Sequence, residues 1–509
     1  MRSRSNRIPN LSRRDWLRLA AGAPMLGAAS RLTGAGIPAH PSELKYASLK
    51  FDPPKAPAHR FELPHGAVAY MVEDREFPLI DISLTIRAGE YLEDSDKTGL
   101  FSMTGSQMRS GGTKTLSARE FDEQAAFLAT EIGSGMGDTS ASASMGCLKQ
   151  NLDASLKLFF DMLKNPGFDA QRLELAVAQI LQGMERRNDQ TPGIERREFA
   201  RLMRGDGHYS TRQSTKASIE AIAREAMLEV HQRYYRPSAF IFAVAGDFDS
   251  KEMVARLGEA LNSGWPGGVD SVPKVPAPAH TPKPGVYMVD KAEVNQSRIS
   301  MGHLGVTRDN PDHIALDIMN EILGGGGFTS RIMTRVRSDE GLAYSAGSSF
   351  PAGTYYPSVF QAAFQSKNPT CARATAIVLE EIERMRNEKV TSEELETARN
   401  YNIEIFPRFF ATARGIAGTF ASDEYTNREK DYWEKYRDRI AAVDADTVLR
   451  VAQKYLMPEK LAILAVGNVK EMLAGDADHA DFKFEKFDGD GKIERIPLPD
   501  PLTMKYPAS

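Results

Sequence analysis

The residue types best suited to metal or redox chemistry are scarce in this chain and form no known motif. The sequence has nine histidines and two cysteines, Cys147 and Cys371. Two histidines four residues apart on a helix could bind Zn²⁺ while a nearby glutamate activates water, but neither H-x-x-E-H nor H-E-x-x-H occurs. His208 has no partner at ligand spacing, which favours a hydrogen-bonded loop histidine. The spacing of the cysteines does not reveal whether they are bridged.

A run of four glycines is the most distinctive local pattern. It consists of Gly324, Gly325, Gly326 and Gly327. Without Cβ atoms these residues would let another backbone come close, so the run could contact a peptide or a facing subunit. A flexible turn that ends a helix explains it equally well. It is not a phosphate-binding loop, because no Lys-Ser or Lys-Thr pair follows.

Composition places the chain among ordinary globular proteins. Of 509 residues, 41% are hydrophobic and 26% are charged, with a formal net charge of -4. This balance allows large cores and excludes a disordered chain, a collagen and a polytopic membrane protein. The near-neutral charge gives no electrostatic footprint for nucleic acid. We therefore expect no nucleic-acid partner.

The first 40 residues are typical of an export signal. Arg13 and Arg14 precede a short, weakly apolar run, and small residues follow. This order predicts a secretory signal peptide at residues 1–40, and the paired arginines indicate the twin-arginine route. Arg18 and Pro24 interrupt the run, so no permanent membrane span is expected. A disordered basic tail is the alternative; we predict a periplasmic protein.

The rest of the chain contains two similar parts. Residues 68–74 resemble residues 285–290, and residues 235–246 resemble residues 456–467, at a nearly constant offset of about 220 residues. Between them, residues 264–285 are rich in proline and glycine, which predicts an extended linker. Collinear matches at one offset favour a duplicated fold over chance similarity of short apolar strands.

These patterns predict an α+β protein built from two homologous halves. We expect a first domain at residues 46–263, a second domain at residues 286–475 and a C-terminal extension at residues 476–509. Apolar residues recur at helical spacing in 151–164 and 373–386. Strands and helices mix without strict alternation, so each half should be a mostly antiparallel sheet covered by helices.

Several of these segments resemble the insulinase (pitrilysin-type) metallopeptidase family. In the first half, residues 88–94 and 99–100 fit the family pattern. In the second half, residues 322–331 and 337–345 fit closely, because a glycine-rich turn followed at this spacing by Arg and Gly-Leu-Ala-Tyr is rare. The resemblance covers about residues 55–475. It implies two insulinase-type halves joined by a linker.

The resemblance also implies that the family's zinc site is degenerate here. Family members carry H-x-x-E-H on the helix after the first-half Gly-Leu, and a further Glu on a later helix. The positions of the two histidines fall on Ser102 and Ser106, and the position of the base falls on Gly105. The third ligand position falls on Gly183, or on Met184 if the alignment shifts by one. We therefore expect no cofactor in this chain and no independent peptidase activity.

Several members of this family work as pairs of different chains, of which one carries zinc. In bacterial pairs the degenerate partner lacks zinc ligands but retains the second-half Arg and Tyr, here Arg337 and Tyr344. The resemblance implies that these residues assist hydrolysis of unfolded peptides at the partner's metal, since both can donate to a carbonyl or an oxyanion. In the alternative interpretation, Arg337 pairs with Asp339 or Glu340 and Tyr344 lies in the core.

We therefore predict the inactive subunit of an exported heterodimeric zinc metallopeptidase. Its partner would be a zinc-bearing homologous subunit, and zinc would lie there. In the family, the neighbourhood of residues 131–147 includes an edge strand that accepts substrate, although structural spacing explains these small residues equally well. The rival function is a homodimeric scaffold or peptide-binding protein of the same fold. An active zinc enzyme would require ligands that the sequence lacks.

Overall fold

Two six-stranded mixed sheets organise the computed structural model, which describes residues 50–265, 271–487 and 491–507. The predicted signal peptide lies outside the described residues. Phe51–Ser509 forms one unit. Helices cover both sheets, which confirms the α+β class.

The first sheet has the strand order β1-β2-β6-β3-β5-β4. Only its β2–β6 pair is parallel. Alternate buried residues in β3 and β5 pack against the helices, as the alternating sequence requires. Its strands are β1 (Arg60–Glu62), β2 (Val68–Glu73), β3 (Leu79–Ile86), β4 (Glu131–Met136), β5 (Ala141–Leu148) and β6 (Phe240–Gly246).

The second sheet has the equivalent order β12-β7-β11-β8-β10-β9. Two of its pairs, β7–β11 and β7–β12, are parallel, and the other three are antiparallel. Both sheets are therefore mixed, with antiparallel pairs in the majority. Its strands are β7 (Gly285–Asp290), β8 (Gln296–Leu304), β9 (Ala343–Ser349), β10 (Val359–Lys367), β11 (Ala462–Gly467) and β12 (Ile493–Arg495).

The helices follow the predicted periodicity where their apolar stripe is long. The helices predicted at 151–164 and 373–386 are observed as Leu152–Lys164 and Cys371–Asn387. The α-helices of the first part are α1 (Leu100–Ser110), α2 (Ala118–Phe127), α3 (Leu152–Lys164), α4 (Ala170–Glu185), α5 (Thr191–Arg204), α6 (Lys216–Glu220), α7 (Arg224–Tyr234) and α8 (Ser250–Leu261). Those of the second part are α9 (His313–Asn320), α10 (Arg331–Met333), α11 (Cys371–Asn387), α12 (Ser392–Ile405), α13 (Ala413–Thr426), α14 (Tyr432–Ala441), α15 (Ala445–Tyr455) and α16 (Val469–Ala474).

Each sheet is covered in part by a helix from the other part of the chain. Helix α5 packs on β11 and β8 of the second sheet, whereas α13 packs on β6 and β2 of the first. Ion pairs hold each of these helices to the sheet on which it packs. Glu195 of α5 pairs with Arg298 of β8, and Glu424 of α13 pairs with Arg60 and accepts a 2.8 Å hydrogen bond from the Tyr70 hydroxyl. The two sheets are therefore interlocked.

The C-terminal segment links both sheets. Strand β12 adds to the edge of the second sheet, and the chain then returns to the first part. The carbonyl oxygen of Pro499 accepts a 2.8 Å hydrogen bond from the Asn188 side-chain amide, and the carbonyl oxygen of Leu502 accepts one from the Lys216 backbone amide. A three-residue strand carries too little alternation to be recognised, so β12 was not predicted.

Buried side chains of both sheets and their helices form the core. Cys147 in β5 and Cys371 at the start of α11 are both buried free thiols. Burial raises the pKa of Cys371 to about 12. Among the described residues, no helix combines the length and the apolar character that a bilayer crossing requires.

Candidate functional site

Helix α1 carries the positions at which the sequence predicts a degenerate metal site. The helix begins after Gly99, whose φ of 105° suits glycine. The Glu93 carboxylate accepts hydrogen bonds from the backbone amides of Gly99 and Phe101 and so caps the first turn. Ser102 and Ser106 lie one helical turn apart, and both are exposed. The Ser106 hydroxyl donates a 3.0 Å hydrogen bond to the carbonyl oxygen of Met103.

Gly105, unlike Ser102 and Ser106, is buried and lies directly against edge strand β4. A Cβ atom on Gly105 would lie 2.5 Å from the carbonyl carbon of Gly135 and 2.8 Å from the Cβ of Met136. The Ser134 hydroxyl donates a 2.6 Å hydrogen bond to the Gly105 carbonyl oxygen, which fixes this close approach. A glutamate side chain at position 105 therefore has no room in this packing.

The fourth position is in a different environment. Gly183, near the end of α4, is exposed, and a Cβ there would meet no atom within 4 Å. The donor set at the four positions thus consists of two neutral hydroxyls and no carboxylate or imidazole. Zinc in proteins is held by thiolate, imidazole and carboxylate groups, so these residues do not fit the ion.

Arg337 lies between two aromatic rings at the surface of the second part. Its guanidinium carbon is 4.7 Å from the ring centroid of Phe328 and 4.7 Å from that of Tyr344. Phe328 is 68% exposed and Tyr344 is 84% exposed. Cation–π attraction holds the guanidinium between the rings and leaves its N–H groups available to a ligand. Phe328 follows the glycine run directly, and the residue pattern alone did not mark it as part of this site.

This geometry contradicts the interpretation of Tyr344 as a core residue. Tyr344 is the second residue of edge strand β9, and its ring is in solvent. Of the two alternative partners for Arg337, Asp339 and Glu340, Glu340 forms an ion pair with Arg373. The structure therefore brings Arg337 and Tyr344 together, and it keeps both accessible.

The glycine run packs against the same edge strand. Gly324 lies in the helical segment Glu321–Gly325 that continues from α9, and a Cβ there would lie 2.9 Å from the carbonyl carbon of Gly347 in β9. The close approach occurs within this chain, as Gly105 approaches β4. Gly325 and Gly326 face the side chain or backbone of Glu321, whereas Gly327 is open and has a φ of 59°. Only Gly327 leaves room for a ligand backbone.

Two acidic residues near the glycine run were missed by the sequence analysis. Asp317 and Glu321 lie four residues apart, on α9 and the turn that follows it. Burial raises the pKa of Asp317 to about 7, opposed by Arg428 and reinforced by Glu321. Burial also raises the pKa of Glu321. Their i, i+4 spacing was visible in the sequence, but burial on α9 was not.

Replacing Asp317 is expected to flatten the dependence of stability on pH. Because the folded-state pKa is raised from 3.8 to about 7, this carboxyl favours the folded state at low pH, and that advantage is lost as pH rises through 7. Asp317→Asn should therefore narrow the difference in urea midpoint between pH 5 and pH 8. Asp153→Asn, on the exposed side of α3, is the control. An unchanged difference for Asp317→Asn would contradict the assignment.

The residues at the four positions that the resemblance assigns to the metal site are two serines and two glycines. Residues 221–402 match the family model described as the Peptidase M16 inactive domain. This part of the chain is therefore similar to an M16 inactive domain. The resemblance to insulinase-type metallopeptidases that the sequence predicts is confirmed.

Similar proteins are found among both curated sequences and solved structures. The non-peptidase homolog YmxG of Helicobacter pylori is 23% identical over 332 residues, which are 65% of this chain and 75% of that protein. The crystal structure of a peptidase M16 inactive domain from Pseudomonas fluorescens has a TM-score of 0.71 at 24% identity, covering 81% of this chain and 97% of that chain. The periplasmic protease PqqL from Escherichia coli has a TM-score of 0.67 at 13% identity, covering 86% of this chain and 49% of that chain. At these identities the structures establish the fold alone.

Proposed function

We propose that this chain is the non-catalytic subunit of an exported heterodimeric zinc peptidase. It completes the peptide-binding chamber of a zinc-bearing homologue and supplies Arg337 and Tyr344 to that active site. The observation that carries the proposal is the contrast between the two parts of the chain. The degenerate helix has no donors for zinc, whereas Arg337 and Tyr344 are held together at the surface.

The chemistry of this pair suits peptide hydrolysis in a partner. The Arg337 guanidinium and the Tyr344 hydroxyl can donate hydrogen bonds to a peptide carbonyl and to the oxyanion that develops when it is attacked. Stacking on Phe328 and Tyr344 limits the rotamers of Arg337 before the ligand arrives, which lowers the entropic cost of binding. The pair therefore acts as a preorganised donor site.

Extended peptides can also find backbone partners on this chain. Strands β4 and β9 form the outer edges of the two sheets, and Tyr344 belongs to β9. An edge strand offers backbone amide and carbonyl groups to which an added strand can bind. A peptide on β9 would pass beside Tyr344 and Arg337.

Export to the periplasm completes the proposal. The basic, apolar and small residues of positions 1–40 support a twin-arginine signal. The related fold of a periplasmic protease supports the same compartment. Capture of the tagged chain from its native cell, with mass spectrometry and zinc analysis, should recover a homologue that contains zinc. A zinc-free homodimer would instead establish the rival function, a scaffold or peptide-binding protein.

Arg337→Ala is expected to lower kcat/KM of the complex with the zinc subunit by about one to two orders of magnitude, as for other donors to a developing oxyanion. Tyr344→Phe removes one hydroxyl and should cost about tenfold. Arg119→Ala is the matched control, since Arg119 is an exposed arginine of α2. Peptide hydrolysis by the reconstituted complex is the measurement. Unchanged kinetics in both site variants would refute the assigned role.

A further inference from the structure

A groove of about 620 Å³ extends from Tyr344 across one face of the second sheet. Gln296 and Arg298 of β8 lie opposite Lys367 and Gln365 of β10 in the antiparallel register, so their side chains share this face. Tyr344 and Arg337 form the other end. The groove is therefore continuous with the donor pair described above.

The charged side chains that line this groove are all cationic. Three of its lining residues are cationic, namely Arg298, Arg337 and Lys367, and within the described part of the chain no lining residue is acidic. Glu195 of α5 already neutralises Arg298, which also donates to the Gln365 side chain. The positive charges of Arg337 and Lys367 then remain. Arg337 lies between aromatic rings, which do not neutralise its charge, and Lys367 is exposed.

A ligand that brings a carboxylate would complement this groove. Two cations that face one cavity repel each other, and an anion placed between them relieves that repulsion. Arg can bind a carboxylate with two parallel hydrogen bonds, and Lys adds a point charge. Along the floor of the groove, the Gln365 side-chain amide donates a 3.0 Å hydrogen bond to the Gln296 side-chain oxygen.

We propose that this groove binds a carboxylate of the peptide that lies along β9, and that the chain therefore selects acidic peptides. This inference rests on the proposed function, in which peptides pass beside Tyr344. The carboxylate is either a glutamate or aspartate side chain or the peptide's own C-terminus. Lys367 is the residue that determines specificity, because Arg337 has the separate role of donor to the peptide carbonyl.

The test is direct binding of four labelled peptides to the purified full chain, followed by fluorescence anisotropy. The peptides share one apolar sequence and carry Glu or Gln at a central position, each with a free or an amidated C-terminus. We expect the best carboxylate peptide to bind about fivefold more tightly than the amidated Gln peptide, as for an ion pair at a partly exposed site. The preference should weaken as salt is raised.

Variants of Lys367 separate specificity from a structural effect. Lys367→Gln should abolish the preference while binding of the amidated Gln peptide stays the same, and Lys367→Arg should retain the preference. Lys157→Gln, at an exposed lysine of α3, removes the same charge elsewhere and should change nothing.

The outcomes show whether the carboxylate belongs to a side chain or to a C-terminus. They also separate a failure of this inference from a failure of the proposed function. Preference for Glu over Gln assigns the groove to a side chain, whereas preference for the free over the amidated end assigns it to a C-terminus. Equal binding of all four peptides, or no binding, would overturn the inference. Neither result would alter the expected recovery of a zinc-bearing homologue, which tests the proposed function.

Discussion

Gly105→Ala is expected to lower the free energy of unfolding by about 3 kcal/mol, the upper range for overpacking a close contact. Alanine normally stabilises a helix interior relative to glycine. Here the added Cβ would lie 2.5 Å from the Gly135 carbonyl carbon and 2.8 Å from the Met136 side chain, so α1 and β4 must separate. Urea unfolding of the purified chain is the measurement.

Gly183→Ala provides the matched control, because it is the same change on another helix. Gly183 is exposed, and its Cβ would meet nothing within 4 Å. The variant should therefore gain about 0.5–1 kcal/mol from helix propensity alone. If both variants shifted stability in the same direction, the close contact between α1 and β4 would be disproved.

The same contact bears on attempts to restore a zinc motif in this chain. Histidines at Ser102 and Ser106 would be exposed and could be accommodated. A glutamate at Gly105 would instead have to enter the space occupied by β4. Restoring the three residue types would therefore cost stability before it supplied a metal site.

Glu198→Ala is expected to destabilise the chain by about 3–5 kcal/mol, the cost of removing one partner from a buried ion network. The Glu198 side chain is 0% exposed and accepts hydrogen bonds from Arg197 at 2.8 Å and from Arg201 at 3.0 Å. The Tyr506 hydroxyl donates to both carboxylate oxygens at 2.9 Å. Without the carboxylate, the nearly buried Arg197 keeps its charge and loses that partner.

Two comparisons isolate this network. Tyr506→Phe removes only the hydroxyl from the C-terminal segment and should cost about 1 kcal/mol. Glu123→Ala removes a glutamate that pairs with Arg119 at the exposed surface of α2 and should cost less than about 1 kcal/mol. The urea midpoints of unfolding give the order of stability of the three variants. A Glu198→Ala midpoint equal to that of Glu123→Ala would contradict a buried network.

The sequence was sufficient for features that depend on local pattern. Periodic apolar residues predicted α3 and α11 to within two residues at each end. These features are local because strand pleating and helical turns repeat over a few residues. The degenerate positions on α1 were predicted only through the resemblance to the insulinase-type family.

Features that depend on distant packing could not be predicted in this way. The stacking of Arg337 on Phe328 requires a turn whose geometry the glycines leave open. The contact of Gly105 with β4 depends on how a helix docks on a strand 30 residues later. The raised pKa of Asp317 requires burial among residues more than 100 positions away, such as Tyr432 of α14. Tertiary context decides each of them.

The interlocking of α5 and α13 sets an order of events during synthesis. The first sheet reaches its full set of strands at Gly246, but the face formed by β2 and β6 stays uncovered until α13 has been made. The nascent first part therefore exposes apolar strand surface to the cell while the ribosome adds most of the second part. The first sheet is therefore fully covered only after Thr426, the last residue of α13, has been synthesised. The two parts finish folding together, and neither completes its folding alone.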